Sequence, residues 1–182
     1  MSSEPEPSVI HTARSDLVAT SVDQLSAAMA GDADRLGALA GADFGAQFTA
    51  PPLTADAFAW LHIYLAQHPD HAMWFMRWIV RRTDRRVVGV VGLKGPPNDA
   101  GAVEVGYSLY PEFEGSGFAT EATEGVIGWA LSHPDVTRVL ATIPPGHVRS
   151  IAVAERCGLR ECGVSTDDEV GEVLVFERVA AD

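Results

Sequence analysis

Three things are scarce in this chain, and each scarcity narrows what it can be. Cysteine occurs twice in 182 residues, as Cys157 and Cys162 with four residues between them, a spacing that fits no metal or redox motif. Two thiols cannot frame a disulfide scaffold, so the sequence predicts a hydrophobic core in a reducing, cytoplasmic setting, with both cysteines as buried free thiols. Long apolar runs are missing: the most hydrophobic stretch, Ala72 to Leu93, is broken by Arg77, Arg81, Arg82, Asp84, Arg85 and Arg86, which excludes a membrane span. Positive charge is short, with 13 Lys and Arg against 25 Asp and Glu and a net charge of −12. That field repels phosphate backbones and anionic lipids, so nucleic acid and membrane partners are not expected, and it would concentrate a cationic small molecule.

Common cofactor signatures are absent too. Neither G-x-x-x-x-G-K-[ST] nor G-x-G-x-x-G occurs, which removes P-loop and dinucleotide-binding readings. His68 and His71 flank Pro69-Asp70 without i, i+4 spacing or further ligands, so no metal is expected. No basic start followed by an apolar run opens the chain. The first residues, MSSEPEPS, are polar and acidic, so residues 1–10 read as a disordered tail and 11–182 as one domain.

What is present is an ordered succession of helix and strand signals within a 47% hydrophobic composition. Ser15 to Thr20 reads as a strand, and Ser21-Val22-Asp23-Gln24 has the S-x-x-Q form of a capping box opening a helix that Gly31 ends. A second short helix starts at Asp32. After Pro51-Pro52, Thr54 can cap a helix reaching His68, with Phe58, Leu61, Ile63 and Leu65 supplying its apolar faces. Met73 to Arg81 and Arg86 to Leu93 form a hairpin through Arg82-Thr83-Asp84-Arg85. In the next strand, Ala102 to Tyr110, Val103, Val105, Tyr107 and Leu109 face one way and Glu104, Gly106, Ser108 and Tyr110 the other. A helix from Ala119 to Ser132, a buried strand from Arg138 to Ile143, a helix from Ser150 to Cys157 capped by Gly158, and a hairpin of Leu159 to Val164 with Glu172 to Val179 complete the chain. The expected class is α/β: a mixed, mostly antiparallel sheet of about seven strands flanked by helices.

Chemistry concentrates between the Ala102 strand and the following helix, in Glu114-Gly115-Ser116-Gly117-Phe118-Ala119-Thr120. Glycines between a strand and a helix can be an ordinary tight turn. They also allow positive φ and close ligand approach, so that free N–H groups and the helix dipole form a nest for phosphate oxygens.

This segment resembles the coenzyme A loop of the GNAT acetyltransferase superfamily, in which Gln or Arg is followed by two residues, Gly, one residue, and Gly or Ala. Gly117-Phe118-Ala119 matches the second half. The resemblance reaches from about Arg14 to Val179, through Val103 to Leu109, Phe118 to Ala122 and Ser150 to Leu159, and is nearest to the branch containing the ribosomal-protein N-terminal acetyltransferases. It implies a GNAT fold with splayed strands 4 and 5, and acetyl-CoA as co-substrate. It also implies an N-acetyltransferase acting, as monomer or homodimer, on a protein N-terminus or a small cationic amine. Ser108 and Leu109 would hydrogen-bond the pantetheine. Glu114, Gly115, Ser116, Gly117, Phe118, Ala119 and Thr120 would surround the pyrophosphate, with His147 and Ser150 contacting the cofactor. Glu114 stands where Gln or Arg is usual, Ser116 at a frequently basic position, His147 where Asn is usual, and Ala154 at the position of a tyrosine acid. These departures leave room for an alternative, a GNAT-fold coenzyme-binding or regulatory protein with little turnover.

For catalysis, Glu104 matches the base position and, if buried, would have a raised pKa. It could instead pair with Arg77 or Lys94. Tyr107 and Ser150 are the remaining candidates to protonate the departing thiolate, although Ser150 could simply cap its helix and His147 could be an exposed loop residue. Trp60, Tyr64, Trp74 and Trp78 lie where an acceptor wall is expected, or in plain core.

Overall fold

The computed structural model describes residues 9–45 and 55–180; residues 1–8, the Pro51-Pro52 loop and the Thr54 cap lie outside it. Eight strands form one sheet in the order β1-β2-β3-β4-β5-β6-β8-β7, with β1 at Val9–His11, β2 at Ser15–Ala19, β3 at Met76–Arg81 and β4 at Val87–Leu93. They continue with β5 at Ala102–Leu109, β6 at Arg138–Ile143, β7 at Arg160–Asp167 and β8 at Gly171–Val179. Every neighbouring pair is antiparallel except β5 and β6. The mixed sheet is as expected, with eight strands instead of seven. The added strand takes Val9 and Ile10 out of the presumed tail: they pair with Val18 and Leu17. Three residues are too few for an alternation pattern to announce a strand.

Helices α1 (Val22–Met29), α2 (Ala33–Ala40) and α3 (Ala55–Gln67) cover one face, and α4 (Phe118–Leu131) and α5 (Val148–Arg156) the other. Alternation along the strands divides the core: Leu17, Ile79, Val103 and Val105 pack with Ala122 and Val126 of α4, whereas Val18, Trp78 and Val80 pack with Leu25, Leu36 and Phe58. β3 and β4 have a helix layer on each side, which is why both read as continuous apolar runs. Ile63, expected to face inward, is 59% exposed; Phe58, Leu61 and Leu65 supply the buried stripe at i, i+3, i+7. Residues Pro69–Trp74 form a 3₁₀ turn, so β3 starts at Met76 instead of Met73.

Ser21 caps α1, its Oγ accepting from Gln24 N at 3.2 Å, but the capping box is only half made. The Gln24 side chain is turned into the core, where Oε1 accepts from Trp78 Nε1 at 3.1 Å and Nε2 donates to the Leu39 carbonyl at 3.3 Å. Gln24→Leu would keep the volume and leave the buried Trp78 N–H without its acceptor, at a cost of about 2 kcal/mol; urea denaturation should register it as a lower midpoint with unchanged slope.

At the opposite margin, Asp16 accepts from Arg82 Nε at 2.8 Å and Arg85 Nη1 at 2.7 Å, and bonds His11 Nδ1 at 2.9 Å. Burial opposes its ionised form, yet the bonds from Arg82, His11 and Arg85 prevail and hold the carboxyl down at about 2. Because the folded pKa lies below the unfolded one, this carboxylate stabilises the fold fully above about pH 4 and stops doing so as pH falls toward 2. Acid titrations of Asp16→Asn should lack that part of the wild-type stability loss.

Candidate active site

β5 and β6 run parallel only from Ala102↔Arg138 to Glu104↔Leu140; beyond Glu104 they part. On its other side β5 stays paired with β4 from Val105↔Leu93 to Leu109↔Gly89. That ladder is bracketed by Lys94 N to Glu104 O at 2.9 Å and Tyr110 N to Val88 O at 3.0 Å. Even-numbered residues therefore direct their amides and carbonyls toward β4, and Val105, Tyr107 and Leu109 direct theirs into the gap. The Ser108 backbone, expected to face a ligand, thus belongs to the β4 ladder, whereas the backbone groups of Tyr107 and Leu109 face the gap. Ser108 still lines the cavity on that side, and Leu109 lines the next one.

That second cavity, about 1080 Å³, lies over the glycine turn. Gly115 and Gly117 have φ of 71° and 80°, conformations that an L side chain would strain. The N–H groups of Gly115, Ser116, Gly117, Phe118, Ala119 and Thr120 donate to no protein group among the described residues, and the first bond returning from α4 is Glu121 N to Gly117 O at 3.1 Å. Unsatisfied donors at the start of a fourteen-residue helix are what an oxyanion of phosphate requires. Phe118 contributes only backbone here, since its ring is buried in the α4 core. The turn fits the pyrophosphate of a coenzyme.

The electrostatics differ from the sequence expectation. Glu114 is ion-paired with Arg149 of α5, so its charge is countered from across the cavity, and Arg156 lines the same wall. From the β1–β2 turn Arg14 donates to Ser116 O at 3.0 Å and Glu121 Oε2 at 2.6 Å, and its guanidinium lies 4.4 Å from the Phe118 ring centroid. Burial raises the Glu121 pKa, but bonds from Thr12 and Arg14 outweigh it and lower it. None of these three arginines was singled out by the sequence pattern, because each comes from an element remote from the loop.

On the other side of the β5 end is a cavity of about 640 Å³ that gathers Ser108, Tyr107, His147 and Ser150 with Trp60 and Lys94. Tyr107 O–H donates to the Ser150 carbonyl at 2.8 Å; burial pushes the phenol up to about 12, that bond opposing it. Ser150 is the third residue of α5 and His147 its N-cap, so Ser150 is not the cap, and its hydroxyl has no protein partner among the described residues. Glu104 is 27% exposed, with Oε1 held by Lys94 Nζ at 2.5 Å and by Thr142 Oγ1, which selects Lys94 over Arg77 as its partner. Oε2 accepts from no protein group among the described residues. Arg77 lies elsewhere, donating to Met73 O at 2.9 Å and stacked over Trp129, and burial pulls it down to about 10.

Of the four expected wall aromatics, Trp60 lines this cavity, Tyr64 backs it at 5.1 Å, Trp78 is fully buried core and Trp74 packs on Trp129 at 4.9 Å. Ala154 is buried and lines neither cavity, so the family's tyrosine has no counterpart facing the gap. Cys157 is buried, which raises its thiol to about 11; Cys162, expected to be buried, is exposed because its strand is the sheet edge. Among the described residues no group of His, Cys, Asp or Glu is placed to hold a metal ion, and no helix is long and apolar enough to cross a membrane.

Comparison with known proteins agrees with this architecture. Residues 24–160 match the acetyltransferase (GNAT) domain family, and the chain belongs to that family. It is 31% identical over 85 residues to an uncharacterized N-acetyltransferase, YjdG, of Bacillus subtilis, covering 46% of this chain and 51% of that protein. The chain thus spans about half the length of the curated relative it matches. Among solved structures, the ribosomal-protein-S5-alanine acetyltransferase of Vibrio fischeri superposes with a TM-score of 0.69 at 18% identity, covering 96% of this chain and 98% of that one. The microcin C7 self-immunity acetyltransferase MccE, solved with acetyl-CoA and AMP, gives 0.64 at 15% identity, covering 92% and 93%. At such identities the likeness establishes the GNAT fold.

If Arg149 offsets Glu114, removing it should leave a lone carboxylate facing phosphate. Arg149→Ala is expected to weaken coenzyme A binding about five- to tenfold, and Glu114→Gln in that background to recover most of the loss. Calorimetry on the wild type and the two variants, repeated at high salt, decides it.

Proposed function

We propose that this protein is an acetyl-CoA-dependent N-acetyltransferase that passes acetyl to a primary amine in a ternary complex, with the chain from Val9 onward acting as one cytoplasmic catalytic domain. The observation that carries the reading is the run of free N–H groups from Gly115 to Thr120, joined by the open edge of β5 to a second cavity large enough for an acceptor.

In the reaction the amine nitrogen attacks the thioester carbonyl, the C–N bond forms as C–S breaks, the nitrogen yields one proton and the sulfur takes one, giving amide and free coenzyme thiol. The chain's own groups then have definite tasks. Gly115 to Thr120 hold the pyrophosphate, with Arg14, Arg149 and Arg156 supplying the positive field. Tyr107 and Leu109 align the pantetheine along β5. Glu104 collects the amine proton on its unshared Oε2 through solvent in the cavity, and Lys94 and Thr142 fix its orientation. Ser150, whose hydroxyl is unengaged, passes a proton to the departing sulfur and is reprotonated from solvent. Tyr107 suits that last task less, because its hydroxyl is committed to Ser150 O and stays protonated far above neutral pH. His147, at the N-cap of α5, sits between cofactor and acceptor.

A thiol-release assay tests the reading. Release should depend on added amine, and Glu104→Gln should lower kcat/KM about a hundredfold with coenzyme affinity unaltered. Tight coenzyme binding without release across a broad amine panel would favour the binding-protein alternative.

A further inference from the structure

The acceptor cavity is built against the kind of substrate that the acidic composition alone would suggest. Away from the cofactor end its walls are Phe58, Trp60, Leu61, Phe75 and Met76. Among the described residues lining it, Lys94 is the one permanently charged side chain and no carboxylate is present. The net charge of −12 is therefore carried elsewhere. Trp60 is 55% exposed yet not loose: its ring stacks on Tyr64 at 5.1 Å and meets Phe75 edge-on at 5.9 Å. One indole face is backed by rigid aromatics, so the other cannot collapse inward and remains available to a ligand.

Resting on the acetyl-transfer reading, we propose that the acceptor is a monoamine with an apolar, ring-sized body, and that polyamines and basic peptides are discriminated against. Glu104, at the cofactor end and already paired with Lys94, serves the reacting amine; a second or third ammonium would have to leave water for a wall of phenylalanine, leucine and methionine in which none of the described lining residues is an anion. A single amine suffers no such conflict. Desolvation in this cavity favours its neutral form, which is the nucleophile, and its body replaces water on Trp60 and Phe58. The volume, about 640 Å³, accommodates a ring and a short side chain alongside the thioester end.

Calorimetry with the full chain saturated with coenzyme A, using phenethylamine and tryptamine against spermidine and a lysine-rich peptide, tests the proposal without requiring turnover. The arylalkylamines should bind at least tenfold more tightly than spermidine, with little salt dependence. Trp60→Ala should weaken them about fivefold or more, Trp60→Phe should restore most of that, and coenzyme affinity should not move in either variant. Equal or tighter binding of spermidine or the peptide, no binding of either class, or indifference to Trp60→Ala overturns it. Thiol release measured with the tightest-binding amine separates the two claims: binding without release counts against acetyl transfer and leaves the acceptor class standing.

Discussion

The parting of β5 from β6 after Glu104 is the constraint on which the remaining site depends. Three residue pairs hold the two strands parallel, and from Val105 onward the β5 edge facing β6 has no strand to bond among the described residues. A sheet interior ordinarily cannot leave such groups idle. Here the gap is kept open from both sides: β4 holds β5 in place through five register pairs, and β8 holds β6 through six. Neither strand is free to close on the other. The open edge is therefore a consequence of two well-made ladders that diverge, and an extended ligand arm is the natural means of satisfying it.

That geometry also couples the two cavities. Because side chains alternate along β5, Gly106 and Ser108 face the apolar cavity beside α3, while the amides and carbonyls of Tyr107 and Leu109 point into the gap and Leu109 borders the glycine turn. A thioester lying along this edge has its phosphates at α4 and its acyl carbon near Ser108. Glu104 is four residues upstream of Ser108 on the same face, at the last point where the strands still pair. A carboxylate placed there is fixed by the sheet itself, with Lys94 and Thr142 determining which oxygen remains free.

Legibility in the sequence followed the range of the interactions. Strand alternation from Val103 to Leu109, the helix from Phe118, and the glycines at 115 and 117 are local signals and were correctly located. The three-residue β1, the start of β3, and the exposure of Ile63 and Cys162 were not, since each is decided by what lies beside it in space. The Gln24 side chain makes the point: its S-x-x-Q spacing predicts a reciprocal cap, yet a buried Trp78 N–H with no other acceptor claims the amide instead. Satisfying a buried donor outweighs closing a cap that water could serve. The site divides the same way: the backbone cradle is visible from its glycines and Trp60 is anticipated as a wall, whereas the arginines and the remaining apolar walls are missed because they come from β1–β2, α3, β3 and α5.

Glu114 illustrates why a departure from a motif should be weighed in three dimensions. Taken along the chain, a carboxylate at a position that is usually neutral or basic argues against phosphate binding. In the fold it faces Arg149, while Arg14 reaches the same loop from the opposite side and binds the Ser116 carbonyl. Charge absent from the loop is thus supplied by α5 and the β1–β2 turn, at distances where partly exposed pairs still act through more than bulk water. The unsatisfied amides from Gly115 to Thr120 are backbone groups and are insensitive to which side chain occupies position 114. The departure consequently alters how the positive field is assembled, and on the proposed reading it would tether coenzyme affinity to the packing of α5, whose first turn carries Ser150.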